Sequence, residues 1–130
     1  MTVKDRTARL LDGTAVATQI REGLRPRIKK FAMEAGRPPK LGILLVGNDP
    51  GSEIYVRNKI KNSEQLGMAS DLRRLGDTAS LSETLAIVDE FNTSENHDGI
   101  LVQSPLPPGL GDDAEQQVFD AIDPAKDVDG

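Results

Sequence analysis

The sequence predicts a three-layer α/β/α domain on a mostly parallel sheet, and three observations carry that prediction. Strand-length runs at residues 41–46, 68–75 and 100–103 alternate with stretches of helical period. Ile100, Leu101 and Val102 are apolar without alternation, as in a strand buried on both faces. The segments joining the runs are long enough for helical crossovers, whose right-handed sense puts helices on both sides of a sheet. The 130 residues suit one domain, 1–130, able to bury about two thirds of the unfolded chain's surface.

Asp12 is placed to cap a first helix, in which Val16, Ile20, Leu24 and Ile28 form one apolar stripe suited to packing on a sheet. Pro26 predicts a bend or local break, and Gly36 with Pro38 and Pro39 predicts a firm stop. The first strand, 41–46, ends at Gly47. Asn48, Asp49, Pro50 and Gly51 form a turn, Ser52 is read as the N-cap, and a second helix starts near Glu53. Gly67 suits its C-terminal cap, and the polar run 68–75 reads as a partly exposed strand. Ser80 and Glu83 make a capping-box signature, followed by the apolar face Leu81, Leu85, Val88 and Phe91. After the strand 100–103, the prolines at 105, 107 and 108 force the chain off the sheet. Asp112 or Asp113 then caps a fourth helix reaching about Ile122.

Composition removes several function classes. Sixteen basic against twenty-one acidic residues give a net charge of -5, the wrong sign for a general nucleic-acid or membrane-surface binder. The chain has no cysteine, so disulfides, thiolate metal sites and a thiol nucleophile are excluded, and a cytoplasmic location is the default. Neither a signal-peptide pattern nor a membrane-length apolar run is present.

The stretch from Leu41 to Leu66 organises the candidate chemistry. Tyr55, the only tyrosine, and Lys59 are four residues apart, so on a helix they share one face near the strand's carboxyl end, where open α/β sheets bind ligands. Gln103 is the first polar residue at the end of the third strand and reaches the same rim if the strands are neighbours. A lysine on a helix is ordinarily solvated and a tyrosine ordinarily half-packed, so each residue alone carries little. Gly109-Leu110-Gly111-Asp112-Asp113-Ala114 matches a dinucleotide fingerprint in shape, but two aspartates at a helix start would repel a pyrophosphate. The turn at 47–52 lacks the Lys-Ser/Thr of a phosphate-binding loop. His97, the only histidine, reads as an ordinary surface residue. Asp127 and Asp129 read as solvated loop carboxylates rather than a metal pair.

Three blocks carry a resemblance: Gly47-Asn48-Asp49-Pro50-Gly51-Ser52-Glu53-Ile54-Tyr55-Val56 with Lys59; Gly99-Ile100-Leu101-Val102-Gln103-Ser104-Pro105-Leu106-Pro107; and Lys126-Asp127-Val128-Asp129-Gly130. In order and approximate spacing they resemble the amino-terminal catalytic domain of the bifunctional methylenetetrahydrofolate dehydrogenase/methenyltetrahydrofolate cyclohydrolase family. The resemblance implies a folate-binding catalytic domain over 1–130. The implied enzyme oxidises methylenetetrahydrofolate with NADP and hydrolyses the methenyl product to formyltetrahydrofolate, in one-carbon metabolism and purine biosynthesis. It implies Lys59 as the catalytic lysine beside the one-carbon bridge, Tyr55 as the stacking platform, Gln103 as the lysine's hydrogen-bond partner and Asp129 as the pterin's acceptor. Val102 and Pro105 complete the implied substrate-binding set. The family's Rossmann domain, which holds NADP, is absent from this chain, so cofactor-binding residues, metal ligands and an isolated dehydrogenase step are not expected. The implied partner is a small-molecule folate, with no nucleic acid or membrane, and the implied full-length protein is a homodimer. Ser104 replaces the usual leucine, and Gly51 a common alanine. The alternative function is a non-catalytic α/β folate-binding or interaction module.

Overall fold

Three parallel strands, β1 (Lys40–Val46), β2 (Ala69–Leu75) and β3 (Gly99–Val102), form a sheet in the order β2-β1-β3. The computed structural model describes the backbone of residues 2–128 and the side chains of residues 15–128. Two compact units divide the chain, Met1–Pro38 and Pro39–Gly130, and the sheet belongs to the second.

The first unit holds α1 (Thr2–Ala35). The helix begins ahead of Asp12, which therefore does not cap it, and it passes through Pro26 without a break. Glu22, whose carbonyl loses its helical donor to the proline, is exposed, so water can serve in its place. Gly36 ends the helix as expected: at φ 73° it takes the left-handed conformation, and its N–H still reaches the Ala32 carbonyl at 3.0 Å. The expected packed stripe is exposed at Val16 and Ile20 and half-buried at Leu24 and Ile28. Among the described residues of its own unit, α1 has no second element against which the stripe could pack.

In the second unit β1 is buried at every position from Leu41 to Val46. Its alternate residues serve opposite faces. Leu41, Ile43 and Leu45 pack with Val56 of α2 (Pro50–Gln65) and with Leu101. Leu44 and Val46 pack with Val88 and Phe91 of α3 (Leu81–Thr93), Val118 of α4 (Ala114–Ala121), Ile100 and Val102. Helix, sheet and helix pair thus make the three layers expected. From β1 the chain crosses to β2 on one side and from β2 back past β1 to β3 on the other, so right-handed crossovers set α2 and α3 on opposite faces. Gly42 makes room for the second core: a Cβ there would meet the Phe91 ring at 3.0 Å.

Local signals settle most element ends. The Ser80–Glu83 capping box forms in both directions, at 3.1 and 3.4 Å. Gly67 (φ 94°) closes α2 with the paired bonds Gly67 N–H to Glu64 and Met68 N–H to Ser63, a Schellman arrangement. The start of α2 differs from expectation. Asp49 is the N-cap, accepting from the Ser52 N–H at 2.8 Å, because Pro50 needs no N–H partner at the first helical position. Ser52 thereby lies inside the helix, buried. Asp113 occupies the N-cap position of α4 without a side-chain bond. Among the described residues no helix is long and apolar enough to cross a membrane.

His97 also differs. Far from lying on the surface, it is buried against the Phe91 ring, centroids 4.8 Å apart, with Nε2 2.8 Å from Asp71 Oδ2 and Nδ1 2.7 Å from Ser94 Oγ. An ionised carboxylate can only accept, so Nε2 carries a proton. Burial pushes the Asp71 carboxyl up, but the hydrogen bonds from His97 and Arg73 and the charge of Arg73 outweigh it, holding Asp71 below the usual carboxylate range.

Two predictions follow from this packing. Gly42→Ala should destabilise the unit by about 1–3 kcal/mol through overpacking against Phe91, read as a lower urea midpoint with unchanged slope. For Asp71, a folded value below the unfolded one contributes stability fully present above the unfolded value of about 4 and lost as pH falls through the folded value. The urea-midpoint difference between wild type and Asp71→Asn should therefore hold steady down to that point and shrink below it. A difference that grows on acidification would contradict the assignment.

Candidate functional site

The carboxyl ends of β1 and β3 are adjacent, and their outgoing connections leave toward opposite faces, β1 into α2 and β3 toward α4. Such a reversal opens a crevice at the strand ends. On α2, Ser52 and Val56 are buried against the sheet and Lys59 is half-buried one turn further on. Gln103 follows β3 directly. Its N–H continues the ladder to the Leu44 carbonyl at 3.0 Å, which fixes its side chain at the crevice.

The two residues meet. Lys59 Nζ donates to Gln103 Oε1 at 2.9 Å, and Gln103 Nε2 donates to the Ser104 carbonyl at 2.9 Å. That carbonyl also accepts from the Ser52 hydroxyl at 3.2 Å. The amide of Gln103 is thus held at both ends, its nitrogen on a carbonyl and its oxygen on the lysine, an arrangement that either protonation state of the amine satisfies. The loss of Ser52 as N-cap has a counterpart here, since the freed hydroxyl braces the loop behind Gln103.

Lys59 and Gln103 line a cavity of about 360 Å³ with Val102, Ser104, Phe119 and Asp127 among its other walls. The mixture of apolar faces with one amine, one amide and one carboxylate suits a small ligand that offers both apolar surface and polar groups. Of the residues singled out from sequence, Lys59, Val102 and Gln103 come together on this cavity. Pro105 stands on a second cavity of about 240 Å³, with Gly47 and Asp49. Tyr55 is 60% exposed and does not line either, although it precedes Lys59 by one helical turn. Asp129 lies outside the described residues. Asp127, read from sequence as a solvated loop carboxylate, is instead half-buried on the cavity wall. Phe119 is a further wall residue that sequence reasoning missed; its signal was the apolar period of α4.

The stretch Gly109–Ala114 does not fit a dinucleotide-binding fingerprint. Gly109 sits in a single 3-10 turn, Pro108–Leu110, with no strand leading into it, and Asp112 and Asp113 precede the eight-residue α4. No metal-binding group of three or more His, Cys, Asp or Glu side chains occurs among the described residues.

Comparison with known proteins identifies relatives of the chain. The family profile described as "Tetrahydrofolate dehydrogenase/cyclohydrolase, catalytic domain" matches residues 11–129. The chain is 50% identical over 122 residues to the bifunctional protein FolD of Solibacter usitatus, covering 94% of the chain and 39% of that relative. FolD of Lactococcus lactis is 45% identical over 121 residues, with 93% and 41% covered. Among solved structures, the bifunctional FolD methylenetetrahydrofolate dehydrogenase/cyclohydrolase of Campylobacter jejuni superposes with a TM-score of 0.82 at 34% identity, covering 92% of this chain and 41% of that one. The Trypanosoma brucei FolD, solved with NADP cofactor and inhibitor, gives 0.77 at 28% identity, with 87% and 37% covered. The chain therefore spans about two fifths of the length of the relatives it matches. With the profile covering nearly all of its length, the chain belongs to the tetrahydrofolate dehydrogenase/cyclohydrolase family and corresponds to that family's amino-terminal catalytic domain.

Proposed function

We propose that residues 1–130 form the folate-binding, catalytic domain of a bifunctional one-carbon enzyme. Its reactions are the NADP-dependent oxidation of methylenetetrahydrofolate and the hydrolysis of methenyltetrahydrofolate to formyltetrahydrofolate. The observation that carries this reading is the Lys59–Gln103 hydrogen bond at the head of a cavity between β1 and β3. On this reading NADP, the hydride acceptor, is bound by residues outside this chain, and the whole protein is a cytoplasmic homodimer.

The chain's own residues divide the remaining work. In the hydrolysis, water adds to the cationic methenyl carbon while the Lys59 amine takes the proton that the water loses. The hydroxyl adduct then becomes the formyl group by cleavage of one carbon–nitrogen bond, the proton held on Lys59 passing to the leaving nitrogen and the hydroxyl proton to solvent. Gln103 holds that amine toward the cavity through its oxygen and keeps its orientation through the Ser104 carbonyl. Val102 contributes apolar wall to that cavity, Pro105 contacts the substrate from the second cavity, and Asp129 accepts from the N–H edge of the pterin. Tyr55, exposed one helical turn before Lys59, offers a ring for the flat aminobenzoyl group to stack on. Its exposure is what a platform without its ligand requires, and a tyrosine serving the core would be buried.

Hydrolysis needs no nucleotide, so it can be followed on the purified chain as the loss of methenyltetrahydrofolate absorbance. Lys59→Met, which keeps the apolar stem and removes the amine, should lower turnover by ~100- to 10,000-fold with less effect on the Michaelis constant. Gln103→Ala should lose less in the same direction. Wild-type turnover in Lys59→Met would remove the lysine from the mechanism. A wild-type chain that binds folate without hydrolysing it would leave the non-catalytic binding module.

Tyr55 is tested by titration calorimetry with 5-formyltetrahydrofolate. Tyr55→Ala should weaken binding by about 1–3 kcal/mol, by analogy with base stacking, and Tyr55→Phe should bind nearly as wild type does. Equal affinity of wild type and Tyr55→Ala would exclude the platform.

A further inference from the structure

Residues 121–128 run back beside β3 and bring Asp127 and Ile122 to the cavity wall, but what fastens them lies outside the cavity. Asn92, in the last turn of α3, donates its side-chain amide to the Ala121 carbonyl at 2.8 Å and accepts from the Asp123 N–H at 2.9 Å. Lys126 then reaches in the same direction. Its Nζ donates to the Phe91 carbonyl at 2.9 Å and to the Ser94 carbonyl at 2.6 Å.

Those two carbonyls lie at the C-terminal end of α3, where helical donors run out and the helix dipole is negative. A half-buried ammonium is well matched to them, since charge-assisted bonds compensate its lost hydration. The helix end is thus an electrostatic partner of Lys126.

The backbone of Lys126 completes the attachment. Its carbonyl accepts from the Ile100 N–H at 2.7 Å, and the Val128 N–H donates to the Ile100 carbonyl at 3.4 Å. Residues 126–128 thus pair parallel to β3, with Asp127 opposite Ile100. Both of these residues line the cavity of Lys59 and Gln103, and Lys126 does not. The segment is pinned at its amine to α3 and at its backbone to β3. Beside the amine, two main-chain bonds, one of them long, hold the segment to β3.

We propose that Lys126 is a positioning residue of the folate site: its ammonium pins residues 126–128 to the C-terminus of α3 and so fixes Asp127 on the wall of the cavity that Lys59 and Gln103 also line. The functional half of this inference rests on the folate reading given above, and the mechanical half does not.

Amide hydrogen exchange and 5-formyltetrahydrofolate titration on wild type, Lys126→Met and Lys126→Arg separate the two halves. In Lys126→Met, exchange at the Ile100 and Val128 amides should quicken by about tenfold or more and affinity should fall about tenfold, with β1 and β2 as protected as in wild type. Lys126→Arg, which keeps a charged donor of similar reach, should restore both. Unchanged exchange at those two amides overturns the pin, and so does a uniform rise across all three strands, which would mark a purely global contribution. Faster local exchange with unchanged affinity overturns the positioning role. Should Lys126→Met not fold, Lys126→Gln, whose amide can still reach one carbonyl, is read by the same criteria. A wild-type chain that binds no folate would overturn the folate reading, and the exchange data alone would then decide the pin.

Discussion

Everything in the second unit depends on burying β1 from both faces at once. A strand with two neighbours and two covered faces leaves no position for a polar side chain from Leu41 to Val46 and no slack beside Gly42, where the Phe91 ring already fills the space of a Cβ. Because β1 is central, the crossovers on either side of it must leave in opposite directions, and the crevice at its carboxyl end is a consequence of that topology. The lysine and glutamine meet there because one is carried by the helix after β1 and the other by the first residue beyond β3.

The site is held mainly by polar contacts that lie behind it. Ser52 and Gln103 share the Ser104 carbonyl, which fixes the loop and the amide together. On the far wall, Asn92 and Lys126 tie the returning chain to the end of α3. Ser94 joins this region to another: its carbonyl receives Lys126, and its hydroxyl meets His97, which in turn reaches Asp71 on β2. A run of polar groups thus connects the edge strand β2 to the segment beside β3, passing under the C-terminal turn of α3. Each buried member finds a partner, as a low-dielectric interior demands.

Signals confined to a few consecutive residues were legible in the sequence. The Ser80–Glu83 box, the left-handed glycines at 36 and 67, the apolar runs of β1 and β3 and the polar edge strand β2 all depend on spacing within one or two turns, and each forms where expected. Tyr55, Lys59 and Gln103 could be singled out because strand ends and helix starts are local features, and only the assumption that β1 and β3 are neighbours was needed to bring lysine and glutamine together. Even at short range, competing chemistry misled: Asp49 and Ser52 are both good caps, and Pro50 at the first helical position decided for Asp49.

Tertiary structure alone decided what depends on partners distant in sequence. His97 is buried because Asp71, 26 residues away, supplies an acceptor, and no pattern around His97 announces that. Asp127 leaves solvent for the cavity wall because residues 126–128 pair with β3, and Lys126 becomes a helix cap for a helix ending more than thirty residues before it. The sequence by itself determined the period of each element and the chemical character of the site. Which polar groups would be buried, and against what, was decided only when the strands were ordered, because a buried polar group is stable only where a complementary one arrives from elsewhere in the chain.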